Sequence, residues 1–201
     1  EDTNSFPWVF QSNGNTEGLN IELLKILERK LGVRINLVNY PWKRCLAMMK
    51  SGEVDGVIGS SFKPDRLNMG SYPAKQGGSG ESTLEKDIDT SKRLHASGYS
   101  LYRLKGTAIA WNGRAFKNLG DKIIAAQMDF SIAEDLRKLG AVVKETPEDP
   151  SFIFRGLING HFAAAALQTS TANHILNRNS EYRRRIEKCS ADISPFHQKP
   201  Y

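Results

Sequence analysis

The sequence predicts an α/β protein made of two regions, each with a mainly parallel sheet flanked by helices. Short apolar runs alternate with amphipathic segments along most of the 201 residues, an order that gives parallel strands with right-handed crossovers. Residues 70–98 interrupt this alternation with glycine-rich and charged sequence, and it begins again at Tyr99. With 39% apolar residues, the chain can form one large core or two small ones.

The first region begins with an aromatic loop, which a turn, a helix and a strand follow. Asn13-Gly14-Asn15 predicts the turn, and Asn20 is expected to cap a helix that ends at Gly32. Apolar and polar residues alternate over residues 33–37, which predicts a strand.

The stretch from Tyr40 to Arg66 supplies the next helix and strand and the first candidate site. Pro41 suits the first position of a helix, because its missing N–H would be unpaired there, and Gly52 suits the end. The nearly continuous apolar run over residues 54–59 predicts a strand buried on both faces. Polar residues follow it directly, and open α/β sheets bind ligands at the carboxyl ends of their strands.

The second region repeats this pattern. Ser131 and Glu134 have the spacing of a capping box, so the Ser131 hydroxyl and the free N–H groups behind it are expected to face the preceding turn. Strands are expected at residues 99–103, 123–126, 142–143 and 162–167, and helices from Ser131 to Gly140, over residues 151–159 and around Ile175.

Three predicted strand ends carry polar side chains, and we expect them to converge on one cleft if the two regions face one another. These are Ser60 with Ser61, the turn from Gln127 to Ser131, and Gln168 with Thr169. Helix N-termini in such a cleft favour an anionic group. Arg66 would complete a carboxylate site, because its planar guanidinium matches two oxygens. The alternative is that Arg66 is a solvent-facing side chain at the start of a short helix.

Residues 41–66 contain one extended motif: P-W-x-R-x-L, then a glycine, then V-D-G-V-I-G-S-S and a following arginine. This motif resembles the periplasmic solute-binding proteins of the amino-acid-binding type, the two-lobed receptors of ABC importers with the type II periplasmic-binding-protein fold. The resemblance extends weakly from Phe6-Pro7-Trp8 to Lys199-Pro200-Tyr201. It implies a first lobe over residues 1–98, with a flexible segment at 75–95. A second lobe over residues 99–201 would return to the hinge near 197–201.

The resemblance implies an extracytoplasmic solute-binding protein that captures a small polar, carboxylate-bearing ligand between two lobes for an ABC-type importer. We expect a bacterial, periplasmic monomer. No charged n-region and apolar h-region begin the sequence, so an exported protein would already have lost its signal peptide. The chain also looks trimmed at both ends relative to the family. Its expected protein partners are the membrane subunits of the importer. The alternatives are a ligand-sensing domain or a non-transport scaffold of the same fold and, less favoured, a dehydratase-like enzyme of that fold.

The family pattern also assigns roles to particular residues. Arg66 falls where the family places its carboxylate-binding arginine, and Trp42 lies in a turn that borders the ligand. Trp8 could line the cleft or fill the core of the lobe, and we weigh these two positions evenly. Asp2 falls where the family has an acidic or polar residue beside the ligand.

The ligand is not expected to be an ordinary α-amino acid. Relatives that bind amino acids place an aspartate after the strand equivalent to residues 163–167, where it holds the ligand ammonium. Here Gln168-Thr169-Ser170 follows, without a carboxylate, and burying an ammonium without a counter-charge costs several kcal/mol. A carboxylate ligand with neutral hydrogen-bonding groups fits better, unless Asp2 supplies the missing charge.

Other functions are disfavoured by the residues that such functions need. No nucleophile, metalloprotease, P-loop or dinucleotide motif is present, and the four histidines are scattered, so we expect no catalytic residues, metal or cofactor. The net charge of +6 is dispersed apart from Arg183-Arg184-Arg185, which disfavours nucleic acid as a partner. Cys45 and Cys189 either pair in an oxidising periplasm or remain buried thiols.

Overall fold

The computed structural model describes residues 5–75, 88–96, 98–147 and 149–193. The chain divides into two compact units. Unit 1 comprises residues 1–3, 7–97 and 197–201, and unit 2 comprises residues 4–6 and 98–196. The predicted hinge near 197–201, and most of the predicted flexible segment at 75–95, lie outside the described residues. No helix in the described ranges is long and apolar enough to cross a membrane.

The described residues of unit 1 form a small hairpin, two α-helices and short 3-10 turns. The strands β1 (Phe10–Ser12) and β2 (Asn15–Glu17) pair antiparallel, and the predicted turn at Asn13 and Gly14 joins them with positive φ at both residues. The helices are α1 (Leu19–Leu31) and α2 (Trp42–Ser51), and the 3-10 turns are Pro64–Asn68 and Thr90–Lys92. Gly32 and Gly52 end the two α-helices, as predicted, and both adopt the left-handed conformation.

The start of α1 differs from the prediction, because Asn20 lies inside the helix and Gly18 is its N-cap. The first helical N–H groups are satisfied by the aromatic loop instead: Leu19 N–H donates to Pro7 O and Asn20 N–H donates to Trp8 O, both at 3.0 Å. Gly18 has φ 127°, and a Cβ atom there would lie 2.3 Å from Trp8 O. Glycine at this position therefore lets the aromatic loop approach the helix closely enough to cap it.

The two strands predicted in unit 1 do not form, which corrects the sequence-based expectation for residues 33–37 and 54–59. Neither segment has a strand partner among the described residues. The Ile35 N–H donates to the Glu28 side chain, at 2.7 Å, rather than to another strand. An apolar, β-branched segment becomes a strand only when a neighbouring backbone completes its hydrogen bonds, and the pattern cannot supply that neighbour.

Unit 2 contains a five-stranded sheet in the order β7-β6-β8-β3-β9. The parallel pairs β6–β7 and β6–β8 form one side, and β3 runs antiparallel to both β8 and β9. Its strands are β3 (Tyr99–Leu104), β6 (Ile123–Gln127), β7 (Val142–Thr146), β8 (Ala164–Gln168) and β9 (Ile186–Asp192). A hairpin of β4 (Ala110–Trp111) and β5 (Phe116–Lys117) and the helices α3 (Ser131–Lys138), α4 (Pro150–Ile158), α5 (Thr169–Arg178) and α6 (Ser180–Arg185) complete the unit.

Alternate residues of the sheet feed two apolar clusters in unit 2. Ile124 and Ala126 of β6 join the cluster that includes Trp111 and Leu136, and Ala125 between them joins the cluster around Phe154. Small alanine side chains let helices pack closely on the sheet. The core of unit 2 thus fixes the carboxyl ends of β6 and β8, where two groups of candidate site residues lie.

Two smaller predictions also change. Ser131 is the first residue of α3 rather than its cap, because Phe130 is the N-cap and makes no side-chain capping bond. The capping-box prediction is therefore wrong by one position. Cys45 and Cys189 are both buried free thiols, one in each unit, so the structure contains no disulfide between them.

Candidate functional site

Arg66 is the centre of a polar and aromatic group in unit 1. It lies in the 3-10 turn Pro64–Asn68 and is half-buried. Its Nη1 donates to the backbone oxygen of Ser61 at 2.8 Å, and its guanidinium carbon lies 5.3 Å from the centre of the Trp42 ring. This is cation–π distance, so the indole and the carbonyl together orient the guanidinium.

Ser60 and Ser61 contribute to this group through a buried hydroxyl and a carbonyl. The Tyr72 hydroxyl donates to Ser61 O at 2.7 Å and lies 3.0 Å from Ser60 Oγ. Ser60 is buried, with 6% of its surface exposed. Ser61 O thus accepts from both Tyr72 and Arg66. The structure brings together Trp42, Ser60, Ser61 and Arg66, but the two hydroxyl groups of Ser60 and Tyr72 are already engaged with each other.

Trp8 forms a second aromatic feature of unit 1. Its indole stacks on the His95 imidazole with ring centroids 3.6 Å apart and an interplanar angle of 3°. The indole nitrogen and both imidazole nitrogens are buried, and none has a hydrogen-bond partner in the part of the chain that the structure describes. Burial lowers the pKa of His95 to about 4, so the imidazole is neutral at pH 7. One face of the Trp8 indole is therefore covered by His95, and its nitrogen has no hydrogen-bond partner among the described residues.

Gln168 and its neighbours in unit 2 bind Ser5 and Phe6, the first described residues of the chain. The Ser5 hydroxyl donates to Gln168 Oε1 at 2.7 Å, and Thr171 Oγ1 donates to the Phe6 carbonyl at 3.0 Å. The Phe6 ring stacks on His174 with centroids 3.6 Å apart. Burial, and then the charge of Arg178, lower the pKa of His174. The amide oxygen of Gln168 is consequently occupied by the chain itself.

Thr169 belongs to a hydrogen-bond chain that ends on a carboxylate. Its Oγ1 lies 2.7 Å from Ser100 Oγ, which donates to Asp192 Oδ1 at 2.7 Å. Lys188 Nζ donates to the same Asp192 oxygen at 2.8 Å. The hydrogen bond from Lys188, and then that from Ser100, lower the pKa of Asp192 below its ordinary value of 3.8. A carboxylate thus lies two hydrogen bonds from Thr169, although Lys188 already neutralises it.

The third predicted strand end, around Ser131, contributes less. Ser131 is half-buried at the start of α3. Nearby, Gln127 and Thr146 face each other in register at the ends of β6 and β7. Gln127 Nε2 and Thr146 Oγ1 are buried and have no hydrogen-bond partner within the described ranges. Ordered water commonly satisfies buried polar atoms of this kind.

Sequence reasoning found part of this arrangement and missed part. Trp42, Ser60, Ser61 and Arg66 lie together in unit 1, while Gln168 and Thr169 lie in unit 2 and Asp2 falls outside the described residues. His95 was missed because an isolated histidine in polar sequence gives no signal of its surroundings. Ser100 and Asp192 were missed because 92 positions separate them, and only the β3–β9 pairing brings them together. Within the described ranges, no group of three His, Cys, Asp or Glu side chains could hold a metal ion.

Solved structures identify the class of fold. An ancestral arginine-binding protein bound to arginine is similar at a TM-score of 0.72 and 18% identity, over 100% of this chain and 79% of that chain. ArtJ from Geobacillus stearothermophilus, an arginine-, lysine- and histidine-binding protein, is similar at 0.70 and 18%, over 100% and 77%. A histidine kinase sensor domain with similarity to periplasmic binding proteins gives 0.71 and 18%, over 99% and 77%. The fold is therefore that of the type II periplasmic-binding proteins.

The family comparison is more specific for the first part of the chain. The model of the bacterial extracellular solute-binding proteins, family 3, matches residues 2–72, which include the motif at 41–66. The substrate-binding protein of an amino acid ABC transporter is among the similar structures. The resemblance to amino-acid-binding solute-binding proteins is thus confirmed, and these matches agree with the prediction that the chain is not an enzyme. No curated protein sequence matches the chain significantly.

Proposed function

We propose that this protein binds a small, polar, carboxylate-bearing solute at the Arg66 group of unit 1 and delivers it to an ABC-type importer from the bacterial periplasm. The observation that carries the proposal is the position of Arg66 against Trp42 and Ser61 O. The family match over residues 2–72 supports solute binding as the type of function. The carboxylate, the importer and the periplasmic location are the parts that this proposal adds.

The chemistry of Arg66 favours a carboxylate over other groups. A guanidinium has five N–H donors and no acceptor, and within the described part of the chain Arg66 uses one nitrogen, Nη1, on Ser61 O. The remaining donors form a planar fork that two carboxylate oxygens can match. Because the side chain is half-buried beside an indole, such a pair would be only partly screened by water.

Substitution of Arg66 tests the proposal. In a thermal-shift screen of small organic acids, Arg66→Ala is expected to weaken binding of any acid that stabilises the wild type by about 2–5 kcal/mol, since it removes one partner of a charge-assisted pair. Arg66→Lys is expected to restore only part, because an ammonium is not a planar fork. Isothermal titration calorimetry of the best acid gives the affinities.

Arg44→Ala provides a matched control. Arg44 is another arginine of unit 1 whose guanidinium lies 4.2 Å from the centre of an aromatic ring, that of Tyr40, but its side chain is exposed. Its loss should leave affinity unchanged. Equal affinity of the Arg66→Ala variant and the wild type for every stabilising acid would contradict the proposed site.

A further inference from the structure

One stacked pair of rings in unit 1 contains three buried nitrogen atoms that have no hydrogen-bond partner among the described residues. They are Trp8 Nε1, His95 Nδ1 and His95 Nε2. The rings are nearly parallel, at 3°, with centroids 3.6 Å apart, so the nitrogens of both residues lie at the edges of one flat stack. Neither the sequence motif nor the Arg66 group accounts for this arrangement.

Such a concentration of unsatisfied polar atoms is unusual. Most buried polar atoms in proteins have a hydrogen-bond partner, and each exception needs an explanation such as a missing ligand, ion or water. A buried donor or acceptor without a partner has lost its hydrogen bonds to water and gained none in return, which destabilises the folded state. The backbone around Trp8 is meanwhile firmly held, because the carbonyls of Pro7 and Trp8 cap α1.

We infer that the Trp8–His95 stack binds a carboxylate of the solute, with one oxygen accepting from the Trp8 indole N–H and the other from a His95 N–H. This inference rests on the proposed function, because it gives unit 1 a second position for a carboxylate of the same solute, in addition to the Arg66 group. Trp8 is then a ligand-binding residue through its nitrogen rather than through the face of its ring.

The donors present determine the class of ligand. An indole nitrogen is a donor only, so it cannot bind an ammonium or a guanidinium. A neutral imidazole adds one more donor and one bare nitrogen, and burial keeps His95 neutral at pH 7. Two N–H donors from adjacent parallel rings match the two oxygens of a carboxylate, and a negative charge beside the ring would favour protonation of the remaining nitrogen.

Acetate is the probe for the test, and acetamide is its neutral control. In proton–nitrogen NMR spectra of the full chain, acetate is expected to move the Trp8 indole N–H signal downfield and to raise the pKa of His95 from about 4, as followed by its ring proton signals. Acetamide at the same concentration should do neither. If neither signal responds to acetate, the nitrogens are satisfied by trapped water only and the inference is wrong.

Three variants separate this site from the Arg66 group. Trp8→Phe and His95→Phe keep the ring stack and remove the nitrogens, so each should lower the affinity for acetate at least tenfold, as read from the signals of the remaining partner. Arg66→Gln should leave the acetate response at Trp8 and His95 in place. If Arg66→Gln abolishes that response instead, the shifts arise from acetate at Arg66, and the inference fails while the proposed function stands.

Discussion

The two units differ in how completely they bury their apolar side chains. In unit 2, two clusters of fully buried side chains cover both faces of a five-stranded sheet. In unit 1, the buried hydrophobic residues among those described are Ile21, Cys45, Tyr72 and Ile88. Several large apolar side chains of unit 1 are instead exposed, namely Leu19, Ile26, Leu31, Val33, Leu37 and Val38.

This difference shows that apolar sequence becomes a core only when its strands are paired. Residues 33–37 and 54–59 have the composition of strands but no ladder within the described part of the chain, and Leu37 remains 46% exposed. Residues 124–127 have a similar composition and are buried, because β7 and β8 lie on either side of β6. The composition of a segment therefore predicts its tendency, and its neighbours decide the outcome.

The largest difference in the free energy of unfolding should appear when one leucine of each unit is replaced by alanine. Leu157 of α4 is fully buried in unit 2, whereas Leu37 of unit 1 is 46% exposed. Leu157→Ala is expected to lower the free energy of unfolding by about 2–5 kcal/mol, because it leaves a cavity as well as losing burial. Leu37→Ala should stay within about 0.5 kcal/mol of the wild type.

Urea unfolding of the full chain, followed by far-UV circular dichroism, measures both variants. The comparison fails if Leu37→Ala costs as much as Leu157→Ala, since Leu37 would then be buried in the protein in solution. It is sharpened if the Leu157→Ala variant loses stability without a change in slope, because the exposed surface of the unfolded state is then unchanged.

The second largest effect is expected where the aromatic loop of unit 1, which includes Trp8, packs against the start of α1. It tests whether this contact is rigid. Gly18→Ala places a Cβ atom 2.3 Å from Trp8 O at a φ of 127°, so we expect a loss of about 3 kcal/mol. Gly32→Ala is the matched control, because Gly32 also has a positive φ, of 66°, but has nothing within 4 Å of the added atom. Its cost should be about 1 kcal/mol, from the left-handed backbone alone.

The same urea experiment reports this difference between the two glycines. Indole fluorescence adds a local measurement, because displacing the Trp8 carbonyl also moves the ring that stacks on His95. Equal stability of the two variants would show that the contact between Trp8 O and Gly18 is not maintained in solution.

The sequence predicted most elements of unit 2 and fewer of unit 1, for a physical reason. Strands such as Tyr99–Leu104 and Ile123–Gln127 have local patterns that agree with their environment, so their positions could be inferred. The first residues of α1 and α3 were displaced because backbone carbonyls or an extended Phe130 replaced the expected side-chain caps. Caps of this kind depend on tertiary contacts, which a local pattern does not contain.

The candidate site divides in the same way. Trp42, Ser61 and Arg66 lie within one short stretch of sequence, so their proximity could be predicted from a single helix–turn unit. Trp8 and His95 are 87 positions apart, and only the folded chain stacks them. Local spacing predicts groups that one supersecondary unit assembles, and it cannot predict groups assembled by long-range packing.

The smallest effect concerns the polar edge of unit 2, where Asp192 accepts from Ser100 and Lys188. These hydrogen bonds, with that from Lys188 the larger, lower the pKa of Asp192 below 3.8. A carboxyl group with a lowered pKa stabilises the folded state above its unfolded pKa, and this stabilisation is lost as the pH falls through the folded value. Because the Asp192 side chain is 51% exposed, its ion pair with Lys188 stabilises the fold by only about half a kcal/mol.

Asp192→Asn should therefore lower the urea midpoint slightly at pH 7, and the difference from the wild type should vanish at a pH well below 3.8. A difference that persists unchanged in acid would mean that the asparagine disturbs the β3–β9 pairing itself, and the edge of unit 2 would then depend on the shape of this side chain rather than on its charge.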